Sequence, residues 1–250
     1  MVINFLLLFF TVIAAGSLVL FFPNYKERYY KLALVFAGSY LFSITILHLI
    51  PELFSSGFPP HRMGLWILLG FILQQILDYL SSGIEHGHLQ HGENRIGAIT
   101  IMVGLFLHAF LEGTLLSHSE IMGFSNHIPN HDHSHNGSTI LLGILIHKGP
   151  AAFALAAVLI NSLSKKWATL LLVIFALASP LGMISSSVLY DSGLLNREGV
   201  IISYGLVAGG FLHISTTIFF ESSPHHKIKW NKLFVSLLAA GLAIASEFLI

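Results

Sequence analysis

The chain has 250 residues, of which 54% are hydrophobic and only 10% charged; its formal net charge is zero and its mean hydropathy is +0.78. A soluble domain carries about 25% charged residues, so this composition excludes an ordinary water-soluble fold, and the neutral balance offers no footing for nucleic acid. Cysteine is absent while histidine reaches fifteen, which excludes disulfides and thiolate metal sites and leaves imidazole chemistry open.

A hydrocarbon core ~30 Å thick is crossed by about 20 apolar residues rising 1.5 Å each. Eight such runs follow in chain order, predicting a single all-α polytopic membrane domain over residues 1–250. The first, 2–22, ends at Pro23. Its "VIAAGS" loosely mimics a signal-cleavage site, but the run is long and lacks a basic leader, so it is expected to be an uncleaved span. The second, 32–50, holds His48 and leads into Glu52. The third, 63–80, holds Asp78 one turn from its end, where a carboxylate is expected to snorkel to water. The fourth, 96–117, contains His108 and Glu112. The fifth, 138–160, contains His147 and Lys148. The sixth, 167–190, holds no ionisable group within the apolar run, and neither does the first. The seventh, 200–220, carries His213, and the eighth, 233–250, carries Glu247 near the terminus.

Basic residues orient these spans. Alternate connections hold Lys26, Arg28, Lys31, Arg95, Lys165, Lys166, Lys227, Lys229 and Lys232, against Arg62 and Arg197 on the other side. Both termini are therefore expected outside. Two connections are rich in histidine. "EHGHLQHGEN" (85–94) falls inside. "HSEIMGFSNHIPNHDHSHNGS" (118–138) falls outside, where His127, His131, His133 and His135 are candidates for loose metal capture; a plain solvated loop is the alternative.

An ionisable side chain at the centre of an inserted helix costs ~2.5–3.5 kcal/mol, so it usually faces a partner or a pathway. Deep polar residues fall on spans two, four, five and seven, predicting an inner bundle of those four. His108 lies nine residues before the outer end of span four, and His147 nine residues after the outer start of span five. Both sit ~14 Å below the surface. Glu112 follows His108 at i+4, on the same helix face. Two imidazoles and a carboxylate at one depth suit a single divalent ion, Zn²⁺ or else Fe²⁺, Mn²⁺ or Cd²⁺. For any one such histidine, an interhelical hydrogen bond is the plainer reading. Lys148 would repel a second cation and pair with Glu112, so it is expected to stand in for a second metal. "AGSYLF" (37–42) and "AGGFLH" (208–213) form a faint repeat on oppositely directed spans, a pattern common around midplane sites in transporters.

At these residues the chain resembles the ZIP (Zrt/Irt-like) metal-ion transporters. "HAFLEG" (108–113) is similar to their fourth-span motif, with His108, Glu112 and Gly113 in register, and "HKGPA" (147–151) to their fifth-span motif. "HLIPE" (48–52), "SPLGM" (179–183) and "AGGFLHIS" (208–215) resemble their second, sixth and seventh spans. Ala109, Lys148 and Ala151 stand where members with a two-metal centre carry further ligands, so the resemblance is to members with one metal site. It implies alternating access by one helix bundle moving against another, with the ion as substrate and no prosthetic group. The ion would enter at His48 and Glu52, bind at His108, Glu112 and His147, and leave past His213. The setting would be the plasma or inner membrane, with lipid and metal ion as partners, a second copy of the chain as a candidate partner, and no nucleic acid. The rivals are a membrane metalloenzyme, which lacks an HExxH here; a haem carrier using these histidines, for which Glu112 is superfluous; and a metal receptor without flux.

Overall fold

The computed structural model describes residues 1–21, 27–81, 95–118, 136–221 and 230–249, and among them the only regular structure is helical. The helices are α1 (Val2–Phe21), α2 (Glu27–Ile44), a π-helical turn (Thr45–Leu49), α3 (Ile50–Ser55), α4 (Pro60–Ser81), α5 (Arg95–Thr114), α6 (Asn136–Ser162), α7 (Lys165–Asp191), α8 (Arg197–Glu221) and α9 (Trp230–Leu249). Six are long and apolar enough to cross a membrane: α1, the α2–α3 unit, α5, α6, α7 and α8. Helix α4 has 22 residues, ~33 Å of rise, but His61, Arg62, Gln74, Gln75 and Asp78 dilute its hydropathy.

The surface pattern is inverted relative to a soluble protein. On α4 the exposed apolar residues include Leu65, Leu68, Leu69, Ile72 and Ile76, a stripe at helical spacing, while Gln74 is 3% exposed, although Gln75 beside the stripe is exposed as well. That is the distribution hydrocarbon selects: apolar side chains outward, amides and charges inward where partners exist.

The second predicted span runs past its expected end at residue 50. Pro51 has no N–H, which would leave an α-helical carbonyl one turn back without its donor. The chain widens to a π-turn just before it, and the Ile50 N–H reaches back five residues to the Thr45 carbonyl. Helix then continues to Ser55, carrying Glu52 with it. π-Turns of this kind gather at functional positions, and this one contains His48. The fourth predicted span is shorter than expected. Helix α5 ends at Thr114, and the Leu115 and Leu116 amides close tight turns onto the Glu112 and Gly113 carbonyls.

The helices sort into two groups. Helix α1 packs on α6 and α7, and α5 on α7; α4 packs on α8, and α2 on α8 and α9. Each group is locked by backbone contact at glycine. A methyl group on Gly113 would overlap the Ser179 carbonyl of α7, and one on Gly182 the Phe110 carbonyl of α5. Gly70 and Gly209 do the same between α4 and α8. Helices α4 and α8 run in the same direction, since Met63 meets Gly205, Gln74 meets Gly210 and Asp78 meets His213. Across the groups, the four spans expected to form an inner bundle touch in a closed ring: α2 on α6, α6 on α5, α5 on α8, α8 on α2.

These glycine contacts differ in kind from Gly64, which has open space around its Cα. Gly182→Ala forces backbone apart and should cost about 1–3 kcal/mol. Gly64→Ala should be neutral or stabilising by up to about 1 kcal/mol. Thermal melting of the two purified variants side by side checks the contrast.

Candidate metal centre

Helix α5 presents His108 and Glu112 one turn apart on the face turned to α6. Both are buried, Glu112 to 1% exposure, and Glu112 Oε1 lies 2.9 Å from His108 Nε2. The face is held in place from behind: Ser179 Oγ on α7 donates to the Ala109 carbonyl at 2.5 Å, beside the Gly113 and Gly182 contacts. Helix α6 contributes the consecutive residues His147 and Lys148, both buried. The His147 ring stands perpendicular to that of His108, with centroids 5.9 Å apart. Lys148 Nζ donates to Glu112 Oε2 at 3.0 Å and lies 5.7 Å from the centroid of the Phe175 ring on α7.

One carboxylate therefore serves two neighbours, Oε2 toward the ammonium and Oε1 toward the imidazole. Donor atoms of His108, Glu112 and His147 lie within 4.8 Å of one another, the one such group of three among the described residues. Bonds of ~2.1 Å in tetrahedral geometry would set donor atoms about 3.4 Å apart, between the 2.9 Å of the His108–Glu112 pair and the 4.8 Å limit of the group.

Gln74 on α4 completes the cluster. Its Oε1 lies 2.8 Å from His108 Nδ1. An amide oxygen only accepts, so Nδ1 carries a proton, and in the neutral ring Nε2 offers its lone pair toward Glu112 Oε1. Two acceptor atoms 2.9 Å apart repel unless positive charge lies between or beside them. A cavity of about 10 Å³, room for a single water-sized body, is lined by Gly70, Gln74, His108, Glu112, Leu206 and Gly210.

The sequence model described as "ZIP Zinc transporter" matches residues 83–246. The chain belongs to the ZIP zinc transporter family. Relatives include zinc transporter ZIP9 of Micropogonias undulatus, 28% identical over 166 residues, which are 62% of this chain and 49% of that protein. Zinc transporter ZIP9-A of Xenopus laevis is 27% identical over 163 residues, 62% of this chain and 50% of the relative. An uncharacterized protein of Methanocaldococcus jannaschii is 25% identical over 218 residues, 84% of this chain and 72% of the other. The chain thus spans about half the length of the vertebrate ZIP relatives it matches. Membership in the ZIP family and the apolar helices make this a multi-pass membrane protein.

Within this ZIP chain, the other expected positions fall outside the central trio. His48 Nε2 lies 3.6 Å from Glu52 Oε1, with Glu52 partly exposed. His213 Nε2 lies 3.7 Å from Asp78 Oδ2, its ring edge-on to Phe71. The latter corrects the expectation that Asp78 snorkels away: it turns inward to α8, because His213 supplies a polar partner at its own level. His127, His131, His133 and His135, with the 85–94 stretch, lie outside the described residues. His118, first residue of the 118–138 stretch, is buried, with Nδ1 2.7 Å from the Ser117 carbonyl and Nε2 3.3 Å from that of Ser186. Gln74 carries no charge, so nothing in the charge pattern of the sequence marks it as a partner of His108. Its i,i+4 spacing to Asp78 was the available signal.

Breaking one partner of a buried ion pair leaves the other uncompensated, at about 3–5 kcal/mol. Glu112→Gln should therefore lower the melting temperature of the metal-free protein sharply. Adding Lys148→Met to Glu112→Gln should recover most of the loss, as read by thermal unfolding in detergent.

Proposed function

We propose that the chain carries Zn²⁺, or a related divalent ion, across the plasma or inner membrane toward the cytoplasm, through eight spans with both termini outside. The observation that carries this is the convergence of His108, Glu112 and His147 from two helices into one buried cluster. N and O donors without thiolate suit zinc and also accept iron, manganese and cadmium. The ion is the substrate. It meets the His108 lone pair and the Glu112 oxygen that repel each other without it.

Lys148 limits the site to one ion. Two unit charges 4 Å apart interact by about 4 kcal/mol at an effective dielectric of 20. A second divalent ion at that distance would meet about twice as much repulsion from the ammonium. The same ammonium weakens the first ion's hold, because it already shares the carboxylate. Weak holding suits transit, since a site must release what it binds.

In this topology His48 and Glu52 lie on a span directed outward and receive the ion from outside. Helices α4 and α8 both run inward. Asp78 is one turn beyond Gln74, ~6 Å closer to the cytoplasm, so the Asp78–His213 pair would take the ion after the central cluster. The chain holds no nucleotide-binding motif, and flux would follow the ion gradient or the membrane potential.

Radioactive zinc uptake into liposomes is expected for the wild type and should fall to background with His108→Ala plus Glu112→Ala. Unchanged flux in that double variant would sink the assignment. Zinc-soaked crystals should show one anomalous peak at the cluster; two peaks would refute the role given to Lys148.

A further inference from the structure

We propose that the cavity between the start of α5 and the α6–α7 turn binds the headgroup of an anionic phospholipid, whose acyl chains lie along α5 and α7. The proposed orientation, on which the choice of leaflet rests, puts this end of the helices in the cytoplasmic leaflet; the metal reading of the central cluster does not enter.

The cavity has a volume of about 480 Å³ and is lined by Arg95, Asn161, Ser162, Leu163, Ser164 and Trp167. That size falls within the ~300–1,000 Å³ of small-molecule sites. Arg95 opens α5, Ser162 ends α6 and Ser164 caps α7, so the ends of three helices meet there. Among the described residues the lining holds a guanidinium, two hydroxyls and an amide, and no carboxylate. Lys165 and Lys166 follow at once, both exposed. The first turns of α5 and α7 thus carry basic residues and no acid, the reverse of what a helix dipole favours at its positive end. A phosphate in the cavity would offset both. The general preference of basic residues for the cytoplasmic side accounts for their sign, but not for their gathering around a cavity.

The surface next to the cavity marks the ligand as an amphiphile. On α5, directly after Arg95, Ile96, Ile99 and Val103 run at i, i+3, i+7 and are 76%, 45% and 45% exposed. On α7, Trp167, Leu170 and Ile174 have the same spacing, at 50%, 46% and 37%. Each helix therefore leads from a cavity-lining residue into an exposed apolar stripe. The two helices pack on each other, so a lipid whose headgroup enters the cavity finds its chains seated on adjoining stripes. Trp167 stands where tryptophan favours the headgroup level. Anionic lipids populate the cytoplasmic leaflet, and basic pockets between membrane helices on that side bind their head groups.

The chain has three tryptophans, and Trp66→Phe with Trp230→Phe leaves Trp167 as the reporter in the full-length protein. Lipid with brominated acyl chains quenches its fluorescence. Liposomes containing brominated phosphatidylglycerol or brominated phosphatidylcholine therefore read the lipid preference beside the cavity. The anionic lipid should bind about fivefold or more tightly than the zwitterionic one, and Arg95→Gln with Lys166→Gln should bring that ratio to within about twofold of unity. Lys232→Gln, on α9 against α2, should leave the ratio unchanged. Equal affinity for the two lipids, or an equal loss with Lys232→Gln, would overturn the site. Excess inorganic phosphate should not displace the lipid; if it does, the ligand is a free anion and the lipid assignment fails. If the tryptophan variants melt early, native mass spectrometry of the unaltered chain with the same two lipids reads the same ratio. Orientation is tested apart. Ser192→Cys, in a chain otherwise without cysteine, should react with an impermeant maleimide from outside intact cells. Labelling only after lysis would overturn the orientation and the choice of leaflet, while the lipid preference stands or falls on the quenching.

Discussion

A carboxylate with 1% exposure, on a helix whose other neighbours are apolar, has to be balanced by charge or dipoles within a few ångström. Glu112 meets that requirement with the Lys148 ammonium, which donates to one of its oxygens. Lys148 can reach only if α5 and α6 lie close and in one register. That closeness depends on α7, whose Ser179 and Gly182 let α5 seat against backbone. The glycine after the carboxylate, Gly113, is thus required by space rather than by chemistry: the Ser179 carbonyl occupies the place of its missing side chain. Packing and site are one problem here, since the contact that positions the helix also aims its acid.

The lysine has consequences in two directions. It neutralises the buried carboxylate, leaving neither charge of the pair uncompensated. Under the proposed transport it would also keep the cluster from becoming a trap, because an arriving dication would share its carboxylate with a resident cation. A resident metal centre would gain from the opposite arrangement, more carboxylates and no ammonium. Polar groups elsewhere follow the same economy of pairs: His48 with Glu52 along one helix, and His213 with Asp78 between two. Serine and threonine hydroxyls largely turn back onto their own helices, as Ser39, Thr45 and Ser215 do, and so need nothing from a neighbour.

Much of this was legible along the chain. Apolar run length marks helices because backbone polar groups in hydrocarbon must be satisfied within the segment, and the described helices fall on the eight runs. The trio His108, Glu112 and His147 followed from spacing and depth, two quantities that a 1.5 Å rise converts directly into position. Run length failed at Pro51, where a local π-turn absorbs the missing donor and lets the helix continue. It failed again at Asp78, where proximity to a helix end suggested water but the neighbouring helix offered an imidazole.

Composition and spacing by themselves determined the membrane setting, the helical class, the single-file order of the spans and which side chains share a level. These depend on the solvent and on geometry internal to one helix. Only the tertiary structure decided which helices are neighbours: that α4, whose polar residues looked peripheral, supplies Gln74 to His108, and that α7, without an ionisable group in its apolar run, braces α5. Those contacts join residues 34 and 70 positions apart. No periodicity within a helix encodes them, because lateral packing is chosen by the shapes of two surfaces meeting, and a glycine or a serine leaves almost no mark on hydropathy.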